Sequence, residues 1–200
     1  MSSREEEDKI PDSVRDLNDT AEGLHDPDYS YDYIYEVADA TTRRFKLLMR
    51  EAQTGHERAE LMATFSTHLM KIADQPFDRT ASVESLNSTA SVVKRMGDAL
   101  VFEADGNTVP DYFTPDQLRY LAGRLRTAGD AHDQMSNFVR GISNVGAVKG
   151  LAMTYLNMAD SIENLADVYT PDEPEPPSRE SAAEARAARR NRKGGTPRFF

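Results

Sequence analysis

The chain has 200 residues, a net charge of −10 and 38% hydrophobic residues, enough for one domain of ordinary size. It contains no cysteine, which excludes disulfides, thiolate metal sites and cysteine nucleophiles. The N-terminus lacks the apolar region of a signal peptide, and no apolar run approaches the roughly 20 residues that cross a bilayer. The composition therefore predicts a soluble protein, in the cytoplasm or within a soluble particle, with no membrane partner.

The N-terminal segment is strongly acidic. Residues 1–39 hold 13 acidic and 3 basic side chains, and acidic runs of this density are typical of solvated or interaction segments. We therefore expect residues 1–30 to form an irregular arm outside the core. A short helix around Ser13–Glu22 is the alternative for part of it, with Val14 and Leu17 as its only apolar side chains.

Four tyrosines alternate with other residues where the arm ends, at positions 29, 31, 33 and 35. The alternation fits a short edge strand, but entry into the first long helix is the favoured interpretation. Tyrosine rings often anchor protein interfaces. We therefore predict docking to a partner through Tyr29, Tyr31 and Tyr33.

The first three long helices are predicted from apolar residues at three- and four-residue steps. Their expected ranges are about 31–54, 55–75 and 80–103. Thr54 and Glu57 have the spacing of a capping box, which starts the second helix directly after the first. Pro76 stops the second helix because its ring cannot continue the backbone hydrogen bonds.

The fourth helix has the clearest start in the chain. Thr114 is the predicted cap, Pro115 occupies the first helical position and Gln117 the third. We expect this helix to end at Gly141, and Ser143 to cap a fifth helix that runs to the proline-rich segment. The apolar seam of the fourth helix comprises Leu118, Leu121, Leu125, Ala128, His132, Met135, Val139 and Ile142.

The predicted fold class is all-α. We expect an antiparallel bundle of about five helices with an irregular acidic N-terminal arm and an extended basic C-terminal tail. The expected boundaries are 1–30 for the arm, 31–170 for the bundle, 171–177 for a proline-rich spacer and 178–200 for the tail. Many seam positions are Ala or Gly, which bury little area, so self-association or other partners are expected to complete the burial.

The tail reverses the charge of the chain. Residues 178–200 have a net charge of +5, so the rest carries −15. Four cations at three- and four-residue steps would form one basic face on a helix, and the chain ends in two aromatic residues after a Gly-Gly pair. The predicted partner-binding residues of the tail are Arg186, Arg189, Arg190, Arg192, Lys193, Arg198, Phe199 and Phe200.

Catalytic and cofactor motifs are missing from the sequence. Phosphate loops, dinucleotide fingerprints and the nucleophile elbow do not occur. The single Glu-x-x-His spacing ends at His25 in the arm, and the acidic stretch 26–37 lacks the glycine and glutamate of a calcium loop. His132 is expected to be a hydrogen-bonded core residue, with a pH-sensing or binding role as the alternative. We predict no enzyme activity, metal, cofactor or small-molecule substrate.

The order of acidic arm, helical body and basic C-terminal peptide resembles viral scaffolding and connector proteins in layout. The leading hypothesis is a non-enzymatic structural protein that self-associates or docks in a larger particle, such as a virion, through its bundle and tail. Its partners would be copies of itself or other proteins of the assembly. The alternative hypothesis is a nucleic-acid-associated protein whose basic residues within 179–198 bind phosphate.

Overall fold

The computed structural model describes residues 10–25, 31–76, 78–106 and 114–168, and this part of the chain is helical without any strand. The six α-helices are α1 Asp12–Ala21, α2 Tyr31–Glu51, α3 Gly55–Ala73, α4 Val83–Gly106, α5 Pro115–Ser136 and α6 Ile142–Val168, with a 3-10 turn at Glu22–His25 after α1. The predicted all-α class and helical bundle are confirmed. The described residues contain six α-helices where about five were expected, and the additional helix is α1.

Helix α1 packs into the bundle although its sequence is acidic. Its apolar residues follow three- and four-residue steps, continue into the 3-10 turn and are buried. They are Val14, Leu17, Ala21 and Leu24. Residues 10–25 therefore contribute to the core, whereas the favoured expectation was an irregular arm over 1–30. The alternative, a short helix around Ser13–Glu22 with Val14 and Leu17 as its apolar residues, matches α1. The acidic side chains of the helix lie around the buried stripe, so the density of acids did not prevent packing.

Polar contacts fix α1 against α2 and α3. The Ser13 hydroxyl donates to the Glu57 carboxylate at 2.6 Å, and His68 Nε2 lies 2.9 Å from Asn18 Oδ1. Arg44 Nε donates to the Asp16 carboxylate at 2.9 Å. These partners are 28 to 50 residues apart in the chain, so sequence spacing alone does not reveal them.

Threonine caps start α3 and α5 at the predicted positions. The Thr54 hydroxyl accepts the backbone N–H of Glu57 at 3.1 Å, while the Glu57 carboxylate accepts the N–H of Gln53 at 3.1 Å. At α5 the box is complete, because Thr114 Oγ1 accepts from the Gln117 N–H and Gln117 Oε1 accepts from the Thr114 N–H at 2.7 Å. Both helices therefore begin where the side-chain chemistry satisfies their free N–H groups.

Helices α5 and α6 form an antiparallel hairpin whose turn differs from the prediction. Helix α5 ends at Ser136 rather than Gly141, and α6 begins at Ile142, so Ser143 lies inside α6 and does not cap it. Gly141 has a φ of +94°, a backbone conformation that glycine adopts without a Cβ penalty. Along the hairpin, Arg126 contacts Asp160 and Glu163, each at 2.6 Å.

The core lies between the six helices and uses the predicted seams. The rings of Phe45 on α2 and Phe65 on α3 stack with centroids 4.0 Å apart. Between α5 and α6, Gly129 lets the backbones approach closely, since a Cβ there would lie 2.7 Å from Leu156 Cγ and 3.1 Å from the Ala152 carbonyl oxygen. The predicted seam of α5 is buried from Leu118 to His132. Ile142, predicted as its last member, is exposed because it starts the next helix.

Candidate interaction surfaces

Most of the predicted binding residues lie outside the described part of the chain. These are Tyr29 and the tail residues Arg186, Arg189, Arg190, Arg192, Lys193, Arg198, Phe199 and Phe200. Tyr31 is the first residue of α2, but its side chain is also outside the described set. Partner binding by these residues stays a prediction.

Tyr33 and Tyr35 are described, and their rings have different surroundings. The Tyr33 ring lies against the 3-10 turn, because a Cβ on Gly23 would be 3.0 Å from Tyr33 Cε1. The Tyr35 hydroxyl accepts a hydrogen bond from Arg95 Nη1 at 3.1 Å, and the guanidinium lies 5.9 Å from the ring centroid. A helix rotates these two positions by about 200°, so they lie on different faces of α2 rather than along one edge strand.

The tip of the α5–α6 hairpin exposes two large apolar side chains. Phe138 is 72% exposed and Ile142 is 94% exposed. An apolar side chain in water is common by itself, but contiguous apolar surface is characteristic of interaction sites. We call Phe138 and Ile142 the hairpin tip.

One face of α6 continues from this tip. Its residues fall within an arc of about 80° at 100° per residue, and Lys149 borders them. They are Ile142, Gly146, Gly150, Met153 and Asn157, all exposed, and we call them the α6 outer face. The face is uncharged from Ile142 to Asn157 and carries two glycines one turn apart, and the exposed Asp160, which pairs with Arg126, follows within the same arc.

The two glycines of the α6 outer face have no packing role among the described residues. A Cβ on Gly146 or on Gly150 would meet no atom within 4 Å. A glycine inside a helix costs about 1 kcal/mol relative to alanine. The intramolecular contacts therefore do not account for glycine at these positions, in contrast to Gly129, which allows the close approach of α5 and α6.

A groove of about 320 Å³ lies between α3 and α5. Its walls are formed by residues at helical spacing on both helices, namely Ala63, Ser66, Thr67 and Met70 on α3 and Asp116, Gln117, Tyr120 and Leu121 on α5. We call it the α3–α5 groove. It is within the range of roughly 300–1,000 Å³ over which proteins bind small ligands.

The polar atoms of the groove are mostly occupied by their own helices. The Ser66 hydroxyl donates to the Met62 carbonyl at 2.7 Å, and the Thr67 hydroxyl donates to the Ala63 carbonyl at 2.9 Å. The Gln117 side chain serves the capping box of α5. The walls therefore act as apolar surface, while the exposed Asp116 carboxylate places a negative charge at the end of the groove where α5 begins.

A second, smaller cavity of about 90 Å³ contains His132 and Tyr155 in its wall. His132 is buried, and its Nδ1 lies 2.8 Å from the Ala128 carbonyl oxygen, as expected for a hydrogen-bonded core histidine. Burial, and to a lesser degree the Asp74 carboxylate, raises the pKa of the Tyr155 phenol. The Tyr155 phenol is therefore neutral at physiological pH.

A buried carboxyl group lies near the C-terminal end of α4. Glu103 is buried, which raises its pKa by desolvation, while the cations Arg50, Lys46 and Arg58 act in the opposite direction. An acid whose pKa is higher in the folded state than in the unfolded state binds its proton more tightly when folded. The ionised carboxylate therefore lowers stability above the ordinary glutamate pKa, and this loss is absent in acid.

The Glu103→Gln variant tests that sign. The unfolding free energy of the variant minus that of the wild type is expected to become more positive as the pH increases from 4 to 7. Taking the difference cancels the titration of groups far from residue 103. Urea unfolding at both pH values measures it, and a difference that falls with pH would show that the three cations outweigh desolvation.

Metal-binding clusters and membrane-spanning helices are not found in the described residues. No group of three or more His, Asp or Glu side chains in 10–25, 31–76, 78–106 and 114–168 is arranged to hold a metal ion. Over the same ranges no helix combines the length and the apolar character that crossing a bilayer requires. The Glu-x-x-His spacing ends at His25, whose side chain is not among those described, and residues 26–30 of the calcium-like stretch also lie outside.

The chain matches no family model, no curated protein and no solved structure.

Proposed function

We propose that the chain is a non-enzymatic assembly protein that associates with copies of itself within a larger particle such as a virion. The observation that carries the proposal is the α6 outer face, together with the hairpin tip. It combines strongly exposed apolar side chains with two glycines whose missing side chains are not used inside the bundle. Both features are explained if a second helix packs on this face.

Glycines one turn apart allow two helix backbones to approach closely. Because glycine has no Cβ, the facing helix can come into direct contact with the backbone of α6. The bordering side chains then pack around the crossing point. Ile142 and Met153 would supply the apolar area on either side of the glycine pair. Phe138 would extend the contact at the tip of the hairpin.

The tail supplies a second contact in this proposal. It carries +5 against −15 for residues 1–177, so electrostatic attraction favours its binding to the body of another copy. The same acidic body would repel the phosphates of a nucleic acid. The aromatic pair Phe199 and Phe200 fits an apolar site on a protein better than it fits a phosphate backbone.

The Gly150→Leu variant tests the proposed interface. A leucine at position 150 would hold a facing helix away, so the native mass in solution is expected to fall to that of the monomer. Light scattering across a concentration series measures the mass, and circular dichroism reports helix content, which leucine favours. Gly123→Leu is the matched control, because Gly123 on α5 is also exposed with nothing within 4 Å of a Cβ.

Two results would overturn the proposal. The first is a wild-type chain that stays monomeric at every concentration, and the second is an unchanged oligomer mass in Gly150→Leu. A loss of mass in Gly123→Leu as well would place the interface elsewhere on the bundle, and the α6 outer face would then be wrong.

A further inference from the structure

We infer that the α3–α5 groove is the receptor for the C-terminal residues Arg198-Phe199-Phe200 of a second copy of the chain. The inference rests on the proposed self-association and identifies which surface the tail contacts. The groove lies on α3 and α5, and none of its wall residues belongs to α6. Tail capture and packing through the α6 outer face can therefore be tested separately.

The shape of the groove suits an aromatic peptide. Two helix faces form its walls, and Met70, Tyr120 and Leu121 provide flexible or flat apolar surface along its length. The hydroxyls of Ser66 and Thr67 donate to their own helix, so an incoming ring does not leave them unpaired. Tyr120 is 62% exposed and would be covered when the groove is filled.

The charge at the end of the groove matches the order of residues in the tail. The Asp116 carboxylate is exposed, and its ion pair with Arg119 is a loose one at 3.4 Å. In the tail, Arg198 directly precedes the two aromatic residues. With the rings of Phe199 and Phe200 bound between α3 and α5, the Arg198 guanidinium would be within reach of the Asp116 carboxylate. This ion pair would give the peptide a preferred direction in the groove.

The length of the tail permits capture by a neighbouring copy. The described chain ends at Val168, the last residue of α6, and residues 169–197 separate it from Arg198. At about 3.5 Å per residue, a segment of this length can span at most about 100 Å, which is several times the width of a small domain.

A labelled peptide of residues 190–200 tests the assignment against the full-length chain. The receiving chain carries Phe199→Ser and Phe200→Ser, so that its own tail does not compete. Fluorescence anisotropy is expected to show saturable binding of the native peptide, and binding at least tenfold weaker for a peptide with both phenylalanines replaced by alanine.

Two threonine variants of the receiving chain identify the site. Thr67→Arg places a long cationic side chain in the groove and is expected to weaken peptide binding at least tenfold. Thr127→Arg is the matched control, because Thr127 is also an exposed helical threonine that donates to the carbonyl four residues earlier, at 2.9 Å. It is expected to bind the peptide within twofold of its parent.

The outcomes separate this inference from the proposed function. Equal binding of the two peptides, or equal affinity in Thr67→Arg and Thr127→Arg, overturns the groove as receptor even if Gly150→Leu still dissociates the oligomer. A wild-type chain that remains monomeric at every concentration overturns the second copy as the source of the tail, even if the added peptide binds in the groove. Groove-dependent binding together with tail-dependent oligomer mass supports the inference.

Discussion

Replacing Leu17 by alanine is expected to lower the free energy of unfolding by about 2–5 kcal/mol, the range for a fully buried leucine. Leu17 lies on α1 and has no exposed surface. Its truncation removes apolar contacts and leaves a cavity against the helices that α1 packs on. Urea unfolding followed by circular dichroism measures the change, and the variant remains informative as long as a native baseline is visible.

Leu47→Ala on α2 is the matched control for that result. The Leu47 side chain is 42% exposed, so the same substitution removes less buried area and is expected to cost less than about 1 kcal/mol. Similar losses in the two variants would mean that α1 is not part of the cooperative core. The comparison therefore decides directly whether residues 10–25 belong to the bundle.

Replacing Gly129 by alanine is expected to destabilise the protein by about 1–3 kcal/mol through overpacking. A Cβ at this position would press on Leu156 and lie 3.1 Å from the Ala152 carbonyl oxygen. The Leu156 side chain can rotate, but the backbone oxygen moves only if α5 and α6 separate. Thermal and urea unfolding both report the loss.

Gly123→Ala on the same helix is expected to have the opposite sign. Its Cβ would meet nothing within 4 Å, so the variant gains about 0.4–1 kcal/mol from the reduced freedom of the unfolded chain. The two variants make the same glycine-to-alanine change on the same helix and differ only in the atoms that surround the new Cβ. A gain in both variants would show that α5 and α6 do not approach as closely as described.

Local chemistry made the helix starts and seams predictable. Thr114, Pro115 and Gln117 satisfy the free N–H groups of α5 with their own atoms, so their effect does not depend on the rest of the fold. The steps from Leu118 to His132 likewise fix one buried face. The end of α5 was placed too late because Val139 and Ile142 prolong the apolar pattern, while the turn depends on the positive φ of Gly141.

The features that the sequence did not predict depend on tertiary contacts. The burial of Val14 and Leu17 was visible only as a weak helical pattern within an acidic segment, and the bond between Asn18 and His68 joins distant parts of the chain. The α3–α5 groove exists because two faces at helical spacing meet, and spacing along one helix does not indicate which face it will oppose.

The order in which the helices contact one another has a consequence for folding. Helices α5 and α6 are consecutive and joined by residues 137–141, so they can pair with little loss of chain entropy once both have been synthesised. Helix α1 precedes α3 in the chain, and the bond between Asn18 and His68 spans 50 residues, so this contact forms only after α3 has been synthesised. Until then α1 can pack on α2 alone, and the part of its surface that α3 covers stays open to solvent.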